Sequence, residues 1–262
     1  MPSIQINDTT IHYLRTGVAG GPRLLLSHSL FFDLSMFEPL IELLKDRFEI
    51  VAYDHRGQGA SGRKGALDMD NLTRDAAALI AALDFGPCQV AGNSMGGFVA
   101  LRLAARYPHL VAGCIVMGSS ADLEHKLAAF EPLVEDLARN GPADHIDTLM
   151  HIMFGDDIFS DPAREPLLAH WRSKMLDLDT GIGAAARGVI HRQSVLPEIA
   201  LLEVPLLVLA GEQDHAYSIE LSQQIVDTSG HGDMYVIPGA GHSVALEAPE
   251  AVAQRIGDFA EA

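Results

Sequence analysis

The chain is 262 residues long, is 48% hydrophobic and carries a formal net charge of −17 at pH 7. That length and apolar content support one sizeable core, while the negative charge argues against nucleic acid and anionic membrane surfaces as partners. A small anionic ligand is admissible only where a local Arg or Lys compensates.

The first residues, MPSIQINDTTIHYL, hold neither a basic n-region nor an apolar h-region, so no signal peptide is read there. No run is long and apolar enough to cross a bilayer, and a cytoplasmic enzyme is expected. Residues 22–27 (PRLLLS) then read as a buried strand, with Met36, Leu40, Leu43 and Leu44 at helical spacing after it. Residues 49–54 (EIVAYD) form a second strand. Leu72, Ala76, Leu79, Ile80 and Leu83 make the apolar stripe of a helix, with Asp70 and Asn71 as capping candidates. A third strand is read at 89–92, a small-residue helix over 95–107 that stops before Pro108, and a fourth strand at 111–117. Cys88 and Cys114 sit in these strand-like runs and read as buried free thiols.

The rhythm breaks over 122–200, which carries no clear strand and the only Trp, Trp171. It resumes with a strand at 205–210, a helix from about Ser218, a strand at 234–237 and a last helix with Pro249 in its first turn. Strand–helix alternation of this kind predicts an α/β fold, a mostly parallel sheet with helices on both faces. Strands buried on both sides lose the polar–apolar alternation, as these do. In such sheets ligands and chemistry gather at the carboxyl ends of the strands.

One such end is Gly92-Asn93-Ser94-Met95-Gly96, a G-x-S-x-G match between a predicted strand and a predicted helix. Small residues on either side let the backbones crowd a strained turn that exposes the serine as a nucleophile. The N–H groups opening the following helix favour a developing oxyanion. A serine hydroxyl needs a base, and of the twelve histidines His242 stands in a Gly-rich loop just beyond the last strand. His28 and His55 adjoin other strand ends and read as loop-structuring residues; His12, His109 and His231 read as solvated or turn positions. Asp214, after the penultimate strand, is the expected third member, orienting the imidazole; Asp122, after the fourth strand, is its rival.

With these residues in hand the chain resembles the α/β-hydrolase superfamily over nearly its whole length. Residues 54–61 (DHRGQGAS) match that family's D-x-R-G-x-G-x-S loop, and 211–214 (GEQD) and 239–242 (GAGH) match its acid and histidine loops. Residues 27–30 (SHSL) and 33–37 (DLSMF) are similar to the branch of 3-oxoadipate enol-lactonases and small carboxylesterases. The resemblance implies a core of residues 1–121 and 201–262, with a helical cap of residues 122–200 inserted after the sixth strand. It also implies that the N–H groups of Leu30 and Met95 form the oxyanion hole, with Ser29 standing where many members have Gly.

The expected activity is serine hydrolysis of a small carboxylic ester or lactone through an acyl-enzyme. A C–C bond hydrolase or cofactor-free perhydrolase would use the same residues, and a non-turning-over receptor on this fold would keep them. Dehalogenases and epoxide hydrolases of the fold place Asp where Ser94 stands. No cofactor and no metal are expected: there is no phosphate loop, and Asp156 and Asp157 read as solvated acids of a turn. In the cap, Met150, Met153, Phe154, Trp171 and Met175 are candidates to line a substrate cavity, alongside helix packing as the alternative. Arg187 and Arg192 are the candidate cations for a charged substrate, but read first as helix-surface arginines, so an uncharged ester or lactone is expected before a dicarboxylate-derived lactone.

Overall fold

A computed structural model of the chain describes residues 1–261. Eight strands form one sheet: β1 (Ser3–Ile6), β2 (Thr9–Gly17), β3 (Arg23–Ser27), β4 (Glu49–Tyr53), β5 (Cys88–Asn93), β6 (Val111–Met117), β7 (Leu206–Gly211) and β8 (Asp233–Ile237). Their spatial order is β1-β2-β4-β3-β5-β6-β7-β8. The first two pairings are antiparallel and all others parallel. The strands from β3 to β7 are buried along nearly their whole length, which is why their sequences are apolar runs without alternation.

The helices are α1 (Glu38–Leu44), α2 (Met69–Ala82), α3 (Met95–Arg106), α4 (Leu127–Asn140), α5 (Ile146–Met153), α6 (Asp156–Ser160), α7 (Glu165–Leu176), α8 (Ile182–Ile190), α9 (Leu196–Ile199), α10 (Ile219–Ser229), α11 (Val244–Glu247) and α12 (Pro249–Glu261). They cover both faces of the sheet. A side chain at Gly113 of β6 would press on Phe259 of α12, while Val116 of the same strand faces Gly97 of α3. Positions an odd number apart on a strand point to opposite faces, so α3 and α12 lie on opposite sides. The stretch between β6 and β7 is helical, from α4 to α9, with no strand.

Two elements differ from the sequence reading. The hairpin of β1 and β2 has no counterpart in it, because this edge is half exposed and only Ile6, Thr9 and Ile11 are buried. Val111–Met117 is therefore the sixth strand of the chain. The helix expected near Asp70 begins earlier: Asp68 is its cap, accepting from the N–H of Asn71 at 2.8 Å.

Parallel register brings the strand ends into one line. Ser27 pairs with Gly92, Asn93 with Met117, Met117 with Leu209, and Gly211 with Ile237. The loops after these residues carry His28, Ser94, Asp122, Asp214 and His242, so the carboxyl edge gathers the candidates for nucleophile, base and acid.

Close backbone approach fixes the sharpest of these corners. A Cβ on Gly92 would sit 2.0 Å from the carbonyl oxygen of Gly96, and one on Gly96 would sit 1.9 Å from that of Ser27. Both contacts are with backbone, which cannot swing aside. Gly92→Ala is expected to cost about 2–3 kcal/mol, read as a fall of roughly 4–12 °C in Tm by calorimetry. A variant melting with the wild type would show that the corner has slack.

Candidate active site

Ser94 follows β5 directly and has φ 53° and ψ −115°. A non-glycine residue there is strained, and such strain persists only where the surroundings hold it. Here the Ser94 N–H donates to Met117 O at 2.8 Å, and its carbonyl accepts from Ser119 Oγ at 2.9 Å and from the N–H of Phe98 at 3.1 Å.

The hydroxyl faces His242. Ser94 Oγ is 2.7 Å from His242 Nε2, and His242 Nδ1 is 3.0 Å from both carboxylate oxygens of Asp214. A carboxylate only accepts, so the proton sits on Nδ1 and the Nε2 lone pair points at the serine hydroxyl. Asp214 Oδ1 is held in turn by the N–H groups of Ala216 and Tyr217, at 2.8 and 2.9 Å. Ser94 and His242 are both buried. Asp122 instead accepts from its neighbour Leu123 and pairs loosely with His125 at 3.4 Å. Between the two acids, geometry favours Asp214.

The loop bearing Leu30 is fixed by two histidines. His28 Nδ1 donates to Ser29 O at 2.8 Å, and its Nε2 accepts from the His55 N–H at 3.0 Å. His55 Nε2 pairs with Ser27 Oγ at 2.9 Å. Ser29 Oγ donates to Asn93 O at 3.2 Å, so the serine in place of the usual glycine ties this loop to the end of β5. Gln58 Oε1 accepts from the N–H of Phe31 at 3.1 Å. Among the described residues, neither the Leu30 nor the Met95 N–H has an internal acceptor. The family loop at 54–61 does structural work here. Asp54 accepts from the N–H groups of Leu34 and Ala60, each at 2.8 Å, and pairs with His12 at 2.9 Å. His12 is thus part of this support and not a solvated position.

The histidine loop rests on a residue the sequence did not single out. Glu247, buried at the end of α11, accepts from Gly241 N–H at 3.0 Å and Ser243 N–H at 3.1 Å, on either side of His242. Its second contact at Oε2 is the N–H of Gly155, at 2.9 Å, from the helical segment between β6 and β7. Burial raises the Glu247 pKa above the ordinary carboxylate value despite these donors.

Ser94 and His242 open into a cavity between the sheet edge and the helical segment. Its wall is apolar: Leu30 and Phe31 from the core, Phe130, Leu133 and Leu137 from α4, Leu149 and Met153 from α5, and Val189 from α8. The substrate-lining candidates Met150, Phe154, Trp171 and Arg187 are not in this wall. Leu149, Ile152 and Met153 share one face of α5, so Met150 lies on another face, and α5 packs against α7. Trp171 and Phe154 pack on Phe32, with ring centroids 4.5 and 6.1 Å away. Met175 is likewise fully buried in the core, outside this wall. Arg187 is on the surface against Glu131 at 3.4 Å. Arg192 is not a surface arginine: it is buried, 2.9 Å from Glu124, and its guanidinium stacks 4.2 Å from the Phe98 ring centroid. Glu124 and Tyr217, both in the cavity wall, were missed; no periodicity marks a loop residue whose partner is dozens of positions away.

A sheet of this order with an imidazole-paired serine at its carboxyl edge defines the α/β-hydrolase class. The sequence profile of the alpha/beta hydrolase family matches residues 19–255, and the chain belongs to that family. It is 27% identical over 254 residues to 3-oxoadipate enol-lactonase 2 of Acinetobacter baylyi, covering 95% of this chain and 92% of the relative. The crystal structure of the enol-lactonase from Burkholderia xenovorans LB400 superposes over all of both chains with a TM-score of 0.92 at 26% identity. A thermophilic esterase from Thermogutta terrifontis covers 97% of this chain and 93% of its own, with a TM-score of 0.88 and 28% identity.

The two loop histidines make a stability prediction. Burial lowers the pKa of His28 and lowers that of His55 further, so both rings give up a proton more readily in the fold than in the unfolded chain. The unfolded chain protonates them near pH 6.5 and therefore binds more protons. Stability present above that pH is lost as the pH falls through it. Urea midpoints should drop between pH 7.5 and 5.5, with a shallower drop in His55→Gln. Equal slopes in the two proteins would remove His55 from the account.

Proposed function

We propose that the protein is a serine hydrolase of small, uncharged carboxylic esters or lactones, working through an acyl-enzyme. The observation that carries this reading is the buried chain from Ser94 Oγ through His242 to Asp214, opening on an apolar cavity. Ser94 Oγ attacks the substrate carbonyl carbon while His242 Nε2 takes its proton. The resulting oxyanion is received by the N–H groups of Leu30 and Met95, the second of which also stands at the positive end of α3. His242 then gives the proton to the leaving oxygen, and a water activated by the same ring releases the acid. Asp214 holds the imidazole tautomer and stabilises its charged form.

The cavity wall supports the choice of substrate. Among the described residues it contains no Lys or Arg, and its one carboxylate, Glu124, is bonded to Arg192 and to Tyr217 Oη, at 2.9 and 3.0 Å. A carboxylate-bearing substrate would be buried there without a counter-ion, at a cost an apolar acyl group does not meet. The helices from α4 to α8 act in this reading as the cap that selects the acyl or alcohol group. The enol-lactonase relatives support lactone opening as one form of the reaction.

Ser94→Ala should fold as the wild type and lose roughly four to six orders of magnitude in kcat on p-nitrophenyl esters. Asp214→Asn should lose about four orders, with Asp122→Asn close to wild type. Full turnover in folded Ser94→Ala, or greater damage from the Asp122 change, would remove the assignment. Turnover of vinylogous diketones but no ester or lactone would move the same residues to C–C cleavage. A single slow turnover with retained product would mark a receptor.

A second comparison tests the cavity. p-Nitrophenyl butyrate should exceed p-nitrophenyl hemisuccinate in kcat/KM by at least about tenfold, because only the second buries a charge. The reverse order would restore a dicarboxylate-derived lactone as the substrate.

A further inference from the structure

Where the acid loop leaves β7 it meets the helical segment at three side chains that hydrolysis does not use. His215 follows Asp214 directly, His151 lies in the last turn of α5, and Asp156 opens α6. His215 Nε2 is 3.1 Å from Asp156 Oδ1, and the His151 and His215 rings stack with centroids 4.1 Å apart and planes 28° from parallel. One ligating atom from each of the three lies within 4.8 Å of the others.

We infer that His151, Asp156 and His215 form a binding site for a divalent transition-metal ion of the zinc type, bridging the helical segment to the acid loop. Two imidazoles and one carboxylate are the donor set of zinc and its neighbours; calcium and magnesium take oxygen ligands. A tetrahedral zinc ion, with ligands near 2.0–2.2 Å, holds those ligands about 3.4 Å apart. His215 Nε2 and Asp156 Oδ1, hydrogen-bonded at 3.1 Å, have to part by about 0.3 Å and give up the proton between them, while His151 has to turn, and its exposure leaves it free to do so. Solvent supplies the fourth ligand.

Both sides of the site are anchored independently of any ion. The carbonyls of His215 and Ala216 accept from Lys126 Nζ, at 2.7 and 3.1 Å. The N–H of Asp157, next to Asp156, donates to Gln213 Oε1 at 2.9 Å. An ion therefore meets a largely preorganised pair, and the net charge of −17 raises the local cation concentration. The pair of acids at 156–157 read from the sequence as solvated; the histidines that complete the set come from residues 5 and 59 positions from Asp156, a spacing without a linear motif.

The test is titration of tag-free protein with zinc chloride by isothermal calorimetry, with cobalt(II) absorption as a report of tetrahedral ligation. One zinc equivalent should saturate, raise Tm and be left in place by excess magnesium. His151→Ala, Asp156→Asn and His215→Ala should each weaken zinc at least about tenfold, the loss that follows even when a group merely orienting a ligand is removed. Melting without zinc checks that each variant is folded; His151→Ala alters an exposed helix position and keeps the test open if the others are not. Absence of saturable zinc binding in the wild type, or wild-type zinc affinity in folded His151→Ala, would overturn the site.

Discussion

Three backbones meet at the corner between β5 and α3 with no room for a side chain. Gly92 lies under the carbonyl of Gly96, and Gly96 lies under the carbonyl of Ser27. The second contact matters beyond the corner itself, because Ser27 ends β3 and begins the loop that presents Leu30. One close approach thus sets the distance between Ser94 and Leu30. The strained torsions of Ser94 follow from the same crowding, and they aim its hydroxyl at His242 instead of back into the sheet.

One ion pair lies directly behind the cavity wall. Arg192 is buried against Glu124 and lies flat on Phe98, so a full ion pair is folded into the cavity wall without offering a free charge to it. Such a pair is weak evidence for stability, since removing two charges from water offsets much of their attraction. Its effect on the wall is clearer: Glu124, the wall's carboxylate, is held by Arg192 and Tyr217, and most of what a ligand meets is apolar. Glu247 is held by backbone instead. Its buried carboxylate gathers N–H groups from the histidine loop and from residue 155, so one side chain joins the core to the helical segment.

How much of this was legible in the sequence depends on distance along the chain. The six parallel strands announced themselves as apolar runs, and the loops after them carried Gly92-x-Ser94-x-Gly96, Asp214 and His242 within a few residues of each strand end. Local pattern is sufficient for such features. The β1–β2 hairpin was lost because an edge pair buries too few side chains to impose a pattern. The cavity wall was lost for a different reason. Met150 and Met153 are equally apolar, and only the rotation of α5 against its neighbours decides that Met153 faces the cavity. Arg187 and Arg192 look alike in sequence as well, yet one is exposed and the other is enclosed by Glu124, Tyr217 and Phe98, from three other parts of the chain.

The separation between the sheet edge and the helices that wall the cavity has an evolutionary consequence. Positions such as Leu133, Leu137, Leu149 and Val189 line the cavity, and volume-conserving apolar exchanges cost less than about 1.5 kcal/mol. A lineage can therefore drift through new ligand shapes by single neutral-to-mild replacements on the helices, each inherited without disturbing the crowded glycines beneath. The glycine corner follows the opposite rule, since any added carbon meets backbone there. Within one chain, a segment with no room for a side chain and one open to exchange border the same cavity.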